Sequence, residues 1–129
     1  MFKPFLWALG LMGFIWAGMA QAVDYVEFDE HFVVNVGDPT KAKLSYVRAN
    51  ISLKVVDETT ATRVRNHTPF IRDLIVRQLV RQQPDEVRTM EGKDKLRTSL
   101  LESIQSFLQE EENEPLVEEV MFTEFLIQE

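Results

Sequence analysis

The stretch VRANISLKV, Val47–Val55, decides the fold because its side chains alternate strictly between apolar and polar. The apolar members stand at every second position and are Val47, Ala49, Ile51, Leu53 and Val55. A period of two residues is that of a β-strand with one buried face and one face in water. The sequence therefore predicts a sheet with a single covered face at this strand.

A shorter apolar run, FVVNV at Phe32–Val36, precedes this strand. It is followed by Gly37, Asp38 and Pro39, whose backbone preferences suit a turn. Because the two runs are close in sequence, we predict that they pair as an antiparallel hairpin.

Leu116–Gln128 is rich in Val, Phe, Thr and Ile and is predicted to be a long final strand. Strict alternation places Val120, Phe122 and Leu126 on one face and Met121, Phe125 and Ile127 on the other. Both faces are then apolar, which is typical of a strand covered on two sides. We predict that one face lies under helices and that the other is left for a partner.

The segment between the second and third strands has the spacing of helices. Thr68-Pro69 resembles an N-cap followed by Pro at the first helical position. The predicted helical segments are Asp57–Asn66, Thr68 to about Arg81, a short turn at Asp85–Arg88, and about Glu91 to Leu108. The predicted order is β-β-α-α-β: an α+β domain with a small, mainly antiparallel three-stranded sheet and two to three helices packed on one face.

Residues 1–22 are typical of a targeting segment. Lys3 supplies a basic start, Phe5–Met19 is apolar, and Ala20-Gln21-Ala22 has the A-x-A form of a cleavage site. The apolar run is at or below the roughly 20 residues that a spanning helix needs, which favours cleavage after Ala22, with a short uncleaved membrane anchor as the alternative. Both interpretations place residues 23–129 on the periplasmic side of a bacterial inner membrane.

Charge is distributed unevenly along the chain. Residues 23–62, 63–97 and 98–129 carry net charges of −3, +4 and −9, and the whole chain carries −7. This acidic balance argues against nucleic acid or anionic lipid as the main partner. The basic and acidic segments either neutralise each other within one molecule or join the basic region of one copy to the acidic region of the next, a head-to-tail contact that can close into a ring.

The sequence offers little for catalysis. The chain has no Cys, which excludes disulfides and Cys-ligated metals, and His31 and His67 stand in no metal-binding spacing. No G-x-S-x-G elbow or phosphate-binding Gly loop is present. We therefore expect no catalytic residue, no cofactor and no metal, whereas an enzyme or ligand carrier would need a pocket that gathers a His with carboxylates.

An ordered set of short blocks resembles the FliL family of flagellar basal body-associated proteins. The blocks are Phe32–Val36, Leu53–Asp57, His67–Asp73, Glu91–Lys93 with Leu96-Arg97, and Val120–Gln128, which reads V-x-F-T-x-F-x-x-Q. They follow in order over nearly the whole of residues 23–129, and the terminal block is the most specific of them.

The resemblance implies a periplasmic domain similar to those of stomatin and prohibitin proteins. It implies a non-enzymatic scaffold that self-associates, with a ring as one form, at the flagellar basal body and that supports the MotA/MotB stators in swimming or swarming. The resemblance also implies a partner interface, which includes Arg72, Arg77, Phe122, Phe125 and Ile127.

Overall fold

A computed structural model describes residues 23–37, 40 and 44–128. The targeting segment, residues 1–22, lies outside the described residues, as do Asp38 and Pro39 of the predicted turn. The strands are β1 (Asp24–Glu27), β2 (Phe32–Val36), β3 (Ser45–Val55) and β4 (Glu119–Gln128). The helices are α1 (Glu58–Arg65), α2 (Thr68–Val80), α3 (Pro84–Val87) and α4 (Met90–Glu112).

β3, the strand with strict alternation, is the centre of the sheet. It pairs antiparallel with β2 through residues 45–49, with β1 through residues 52–55 and with β4 through residues 46–54. Since β4 covers nearly the full length of β3, β1 and β2 share the opposite edge of β3, one after the other. The predicted hairpin is the β2–β3 pair, and Gly37 leaves β2 with a φ of +96°, a conformation that suits glycine.

The α+β class and the antiparallel sheet are confirmed, but the predicted count of three strands is wrong. β1, with the sequence DYVE, is a fourth strand that the prediction missed. It has four residues and only Val26 among them is buried, so it has no alternation long enough to be recognised. Described helices number four rather than two to three, because α1 and α3 are separate elements.

All helices pack on one face of the sheet. The odd-numbered residues of β3 from Val47 to Val55 are fully buried there, as the alternation predicts. They meet one continuous core of side chains from the helices, whose fully buried members are Ala61, Val64, Ile71, Ile75, Leu79, Val87, Leu100, Ile104 and Leu108. α1 packs on β1 and β3, α2 on β2, and α4 on β4.

Capping residues fix the start of two helices. Asp57 accepts a hydrogen bond from the Thr60 backbone N–H at 2.7 Å, and Thr89 Oγ1 accepts one from the Gly92 N–H at 2.9 Å. The Thr60 side chain and its N–H together hold the pKa of Asp57 below its ordinary value. α2 begins at Thr68 as predicted, but Thr68 is not its N-cap: His67 occupies that position, and Thr68 Oγ1 donates to the Arg65 carbonyl at 2.7 Å instead.

The main departure from prediction lies within β4. Ile51 of β3 is opposite Phe122 and Asn50 is opposite Glu124, so Thr123 is an extra residue that forms a β-bulge. The bulge shifts the alternation by one residue. Phe122, Phe125 and Ile127 are therefore opposite Ile51, Ala49 and Val47, and all three lie on the helix side of the sheet. The predicted division of these residues between two faces is wrong.

Candidate partner-binding surfaces

Arg72 of α2 holds the break between β1 and β2. Its guanidinium lies over the ring of Phe32, 4.4 Å from the centroid, and donates hydrogen bonds to the carbonyls of Glu30 at 3.2 Å and His31 at 3.4 Å. A cation over an aromatic face and two charge-assisted hydrogen bonds are favourable contacts within the molecule. Two-thirds of the side chain is covered, so this predicted interface residue also has a structural role.

Arg77 is presented to solvent from the same helix. Its side chain is 72% exposed, and its ion-pair partner is Asp73, one turn earlier at 2.9 Å. Such an exposed pair contributes little to stability. Of the two predicted arginines, Arg77 is the one whose charge is available to another molecule.

Phe122, Phe125 and Ile127 are half-buried along the border between α4 and β4. The rings of Phe122 and Phe125 are 5.1 Å apart, and Lys93 of α4 places its Nζ 5.3 Å from the centroid of Phe125. These residues stand on β4, whereas Arg72 and Arg77 stand on α2, which packs on β2 at the other edge of the sheet. The structure therefore divides the five predicted interface residues between two surfaces.

The outer edge of β4 is a feature that the sequence analysis missed. The ten-residue strand pairs with β3 on one side, and no backbone hydrogen bond among the described residues engages its other side. A strand edge of this kind presents a row of unpaired N–H and C=O groups to other chains. Only the pairing pattern shows this edge, so no composition signal could have located it.

The face of the sheet away from the helices is another candidate surface. At its centre, Glu124 is within 3.5 Å of His31 Nε2 and within 3.8 Å of Arg48 Nε. Val33 and Leu126 flank Arg48 on the neighbouring strands and are 65% and 45% exposed. This open face thus combines charged groups with apolar side chains, and the alternation of β3 predicted only its polar half.

A charged cluster joins the α1–α2 junction to the end of α4. His67 Nε2 is 2.9 Å from Glu112 Oε1, and Arg63 is 3.4 Å from Glu112 and 3.6 Å from Glu114. The His67 hydrogen bond first, and Arg63 next, hold the pKa of Glu112 below its ordinary value. The His67 ring also packs edge-on against Phe107, which ties this cluster to the helix layer.

The ion pairs show how the uneven charge is arranged. Several bases of residues 63–97 pair with acids of their own segment, in the pairs Arg77–Asp73, Arg88–Asp85, Lys95–Glu91 and Arg97–Asp94. Arg63 crosses to the acidic segment. Within the described part of the chain no ion pair engages Glu110 or Glu111, so the end of α4 keeps an excess of negative charge.

Across residues 23–37, 40 and 44–128, no three His, Asp or Glu side chains are gathered as metal ligands. No helix in that same part of the chain combines the length and the apolar composition that crossing a bilayer requires.

The described residues form an α+β domain in which a four-stranded antiparallel sheet carries helices on one face and leaves one long strand edge unpaired. Residues 25–128 match the family model described as flagellar basal body-associated protein FliL, and the chain belongs to this family. It is 34% identical over 102 residues to a protein named flagellar protein FliL from Aquifex aeolicus (strain VF5), across 79% of this chain. That match spans about 60% of the length of the Aquifex relative.

Proposed function

We propose that this chain is a non-enzymatic component of the flagellar basal body that self-associates and supports the MotA/MotB stators in swimming or swarming. The observation that carries the proposal is the family match over residues 25–128, which includes nearly every residue of the described sheet and helices. The exposed charge of Arg77 and the unpaired edge of β4 give the domain surfaces suited to such contacts.

The proposal places the domain in the periplasm, either free or tethered to the inner membrane. It rests on residues 1–22, whose apolar run ends in a cleavage-site pattern. The N-terminal residue of the mature protein in the soluble and membrane fractions tests this point. A soluble protein that starts at Val23 supports the free form, whereas Met1 retained in the membrane fraction supports the tether.

Arg77 is proposed as a partner contact of α2, with Phe122, Phe125 and Ile127 as a second contact on β4. The Arg77 side chain is 72% exposed, so reversing its charge leaves the core untouched. Arg65, which is also exposed but lies on α1, offers a matched control with the same charge reversal.

The test is complementation of a strain from which the gene has been deleted. We expect the deletion to reduce swimming or swarming under high load while filaments still assemble. The parent chain and the Arg65→Glu variant should restore motility, and Arg77→Glu should restore less at equal protein level. Normal motility of the deletion strain under high load would contradict the proposal and would favour a stomatin-like scaffold for another membrane complex.

A further inference from the structure

The edge of β4 is the longest continuous edge of the described sheet. The opposite edge consists of β1 and β2, which have four and five residues and are separated by residues 28–31. β4 has ten residues without an interruption of strand structure. Long apolar edges are the positions at which sheets add a strand from another chain.

The sequence of β4 is complementary to itself when read in reverse. If two copies pair antiparallel about a two-fold axis between Thr123 and Glu124, every residue meets one of similar chemistry. The opposed pairs are Glu119 with Gln128, Val120 with Ile127, Met121 with Leu126, Phe122 with Phe125, and Thr123 with Glu124. Aromatic and aliphatic residues opposite each other stabilise antiparallel pairs.

The bulge at Thr123 makes this pairing geometrically consistent. In a regular strand, Phe122 and Phe125 would lie on opposite faces, and the pairing would set an inward side chain against an outward one. Because Thr123 is an extra residue, Phe122 and Phe125 both lie on the helix side. Met121 and Leu126 are opposite Ser52 and Arg48, so both lie on the open face.

Charge selects this register over its neighbours. In the register described, neither Glu119 nor Glu124 is opposite another carboxylate. An axis through Glu124 would set two carboxylates directly opposite each other, and an axis through Thr123 would set Glu124 opposite Phe122. Like charges at opposed positions are destabilising.

We propose that β4 pairs antiparallel with β4 of a second copy, with the two-fold axis between Thr123 and Glu124, and joins the two sheets into one. The contact is isologous, since the same surface is used by both copies. The inference rests on the self-association in the proposed function and names the surface that carries it.

The test is cysteine cross-linking of the full chain in mild detergent. The native chain has no Cys, so any disulfide comes from the introduced residues. Met121→Cys and Leu126→Cys proteins carrying different tags are mixed and oxidised. Opposed residues in an antiparallel pair have Cα atoms about 4.5–5.5 Å apart, within the Cα–Cα range that a disulfide spans. Two copies of the same variant place their thiols five residues apart along the strand, about 17 Å. We expect the mixed product and almost none of either single-variant product.

A second measurement compares Thr123→Lys with Thr123→Glu, a matched pair that changes one exposed residue. In the paired state each Lys meets Glu124 of the other copy, and each Glu meets the same carboxylate. The dissociation constant of the self-association, measured by sedimentation, should fall roughly twofold to tenfold with Lys and rise by a similar factor with Glu. Circular dichroism of each variant, including the Cys variants, verifies that the fold is retained. If the Met121→Cys or Leu126→Cys protein is not folded, a mixture of Glu119→Cys and Gln128→Cys proteins replaces that cross-linking pair.

The outcomes separate this inference from the broader proposal. A disulfide between Val33→Cys and Leu126→Cys instead of the expected pair would show that unlike edges meet, which overturns the inference and leaves self-association intact. Self-association without either disulfide, and with equal dissociation constants for the two Thr123 variants, would have the same meaning. A full chain that stays monomeric throughout would overturn both the inference and the self-association.

Discussion

Gly92 shows how a single residue can determine the contact between two helices. A Cβ atom placed on Gly92 would lie 1.7 Å from the backbone carbonyl oxygen of Glu86, far inside any real contact. α4 therefore begins directly against the backbone at the end of α3. Within a helix glycine is otherwise a poor choice, so close approach is the physical reason for its presence.

Two opposing effects decide whether Gly92→Ala raises or lowers the free energy of unfolding. Helix propensity alone would stabilise the folded state by up to about 1 kcal/mol, whereas overpacking against backbone costs about 1–3 kcal/mol or more. We expect a lower free energy of unfolding in urea. Thr98→Ala, on the exposed side of the same helix, is the control and should change little. A more stable Gly92→Ala protein would refute the close contact.

Glu112 should make stability depend on pH. Because its pKa in the folded state is below the ordinary 4.5, its charged form is stabilised by folding. That contribution is fully present above the ordinary pKa and is lost as the pH falls through the folded pKa. We expect Glu112→Gln to be less stable than the parent at pH 6 and the difference to shrink below about pH 4.5. Glu111→Gln, on the exposed neighbour, is the control at pH 6 for removing one carboxylate from the end of α4.

At the scale of elements, strict periodicity was a good guide wherever the element is regular. β3 and the helix from about Glu91 are predicted because their apolar residues repeat with the periods of a strand and a helix. The facing of β4 could not be predicted, since a bulge adds one residue without changing the composition around it. β1 and the free edge were missed because both are defined by which strands pair with β3. Pairing between distant segments leaves no signal in the local sequence.

The bulge leads to a prediction about deletions in β4. Removing Thr123 joins Phe122 to Glu124 in a regular ladder opposite Ile51 and Asn50, and every other side chain keeps its face. Removing Met121 instead reverses the facing of one half of the strand relative to the other. We expect the Thr123 deletion to retain the far-UV circular dichroism spectrum and cooperative urea unfolding, and the Met121 deletion to lose both. Equal damage from the two deletions would contradict the assigned register.

At the scale of the whole molecule, two modes of self-association can be distinguished by their response to salt. Each chain carries a net charge of −7, so copies that pair through the largely apolar β4 edges repel each other at long range. Copies joined head to tail through basic and acidic segments would attract each other instead. Salt screens both forces, with a Debye length of about 8 Å at physiological ionic strength.

Whether self-association strengthens or weakens with added salt therefore distinguishes the two modes. We expect self-association of the full chain to strengthen modestly as sodium chloride rises from 50 to about 300 mM, because screening removes repulsion between acidic copies. The measurement is sedimentation at several salt concentrations. A steep weakening would instead indicate the head-to-tail contact. The Glu111→Gln variant serves as a reference for the effect of removing one unpaired charge.

The position of β3 between distant partners also determines the order in which the domain can form. The β2–β3 hairpin is local, whereas the pairs between β3 and β4 join residues from 65 positions apart, at Lys54 and Glu119, to 82 positions apart, at Tyr46 and Gln128. Closing so long a loop is slow, so we expect pulsed hydrogen exchange to find the hairpin amides protected before those of β4. In that interval one entire edge of β3 is open to a β4 strand from either its own chain or a neighbour. Exchange of strands between copies is thus the characteristic misfolding risk of this topology.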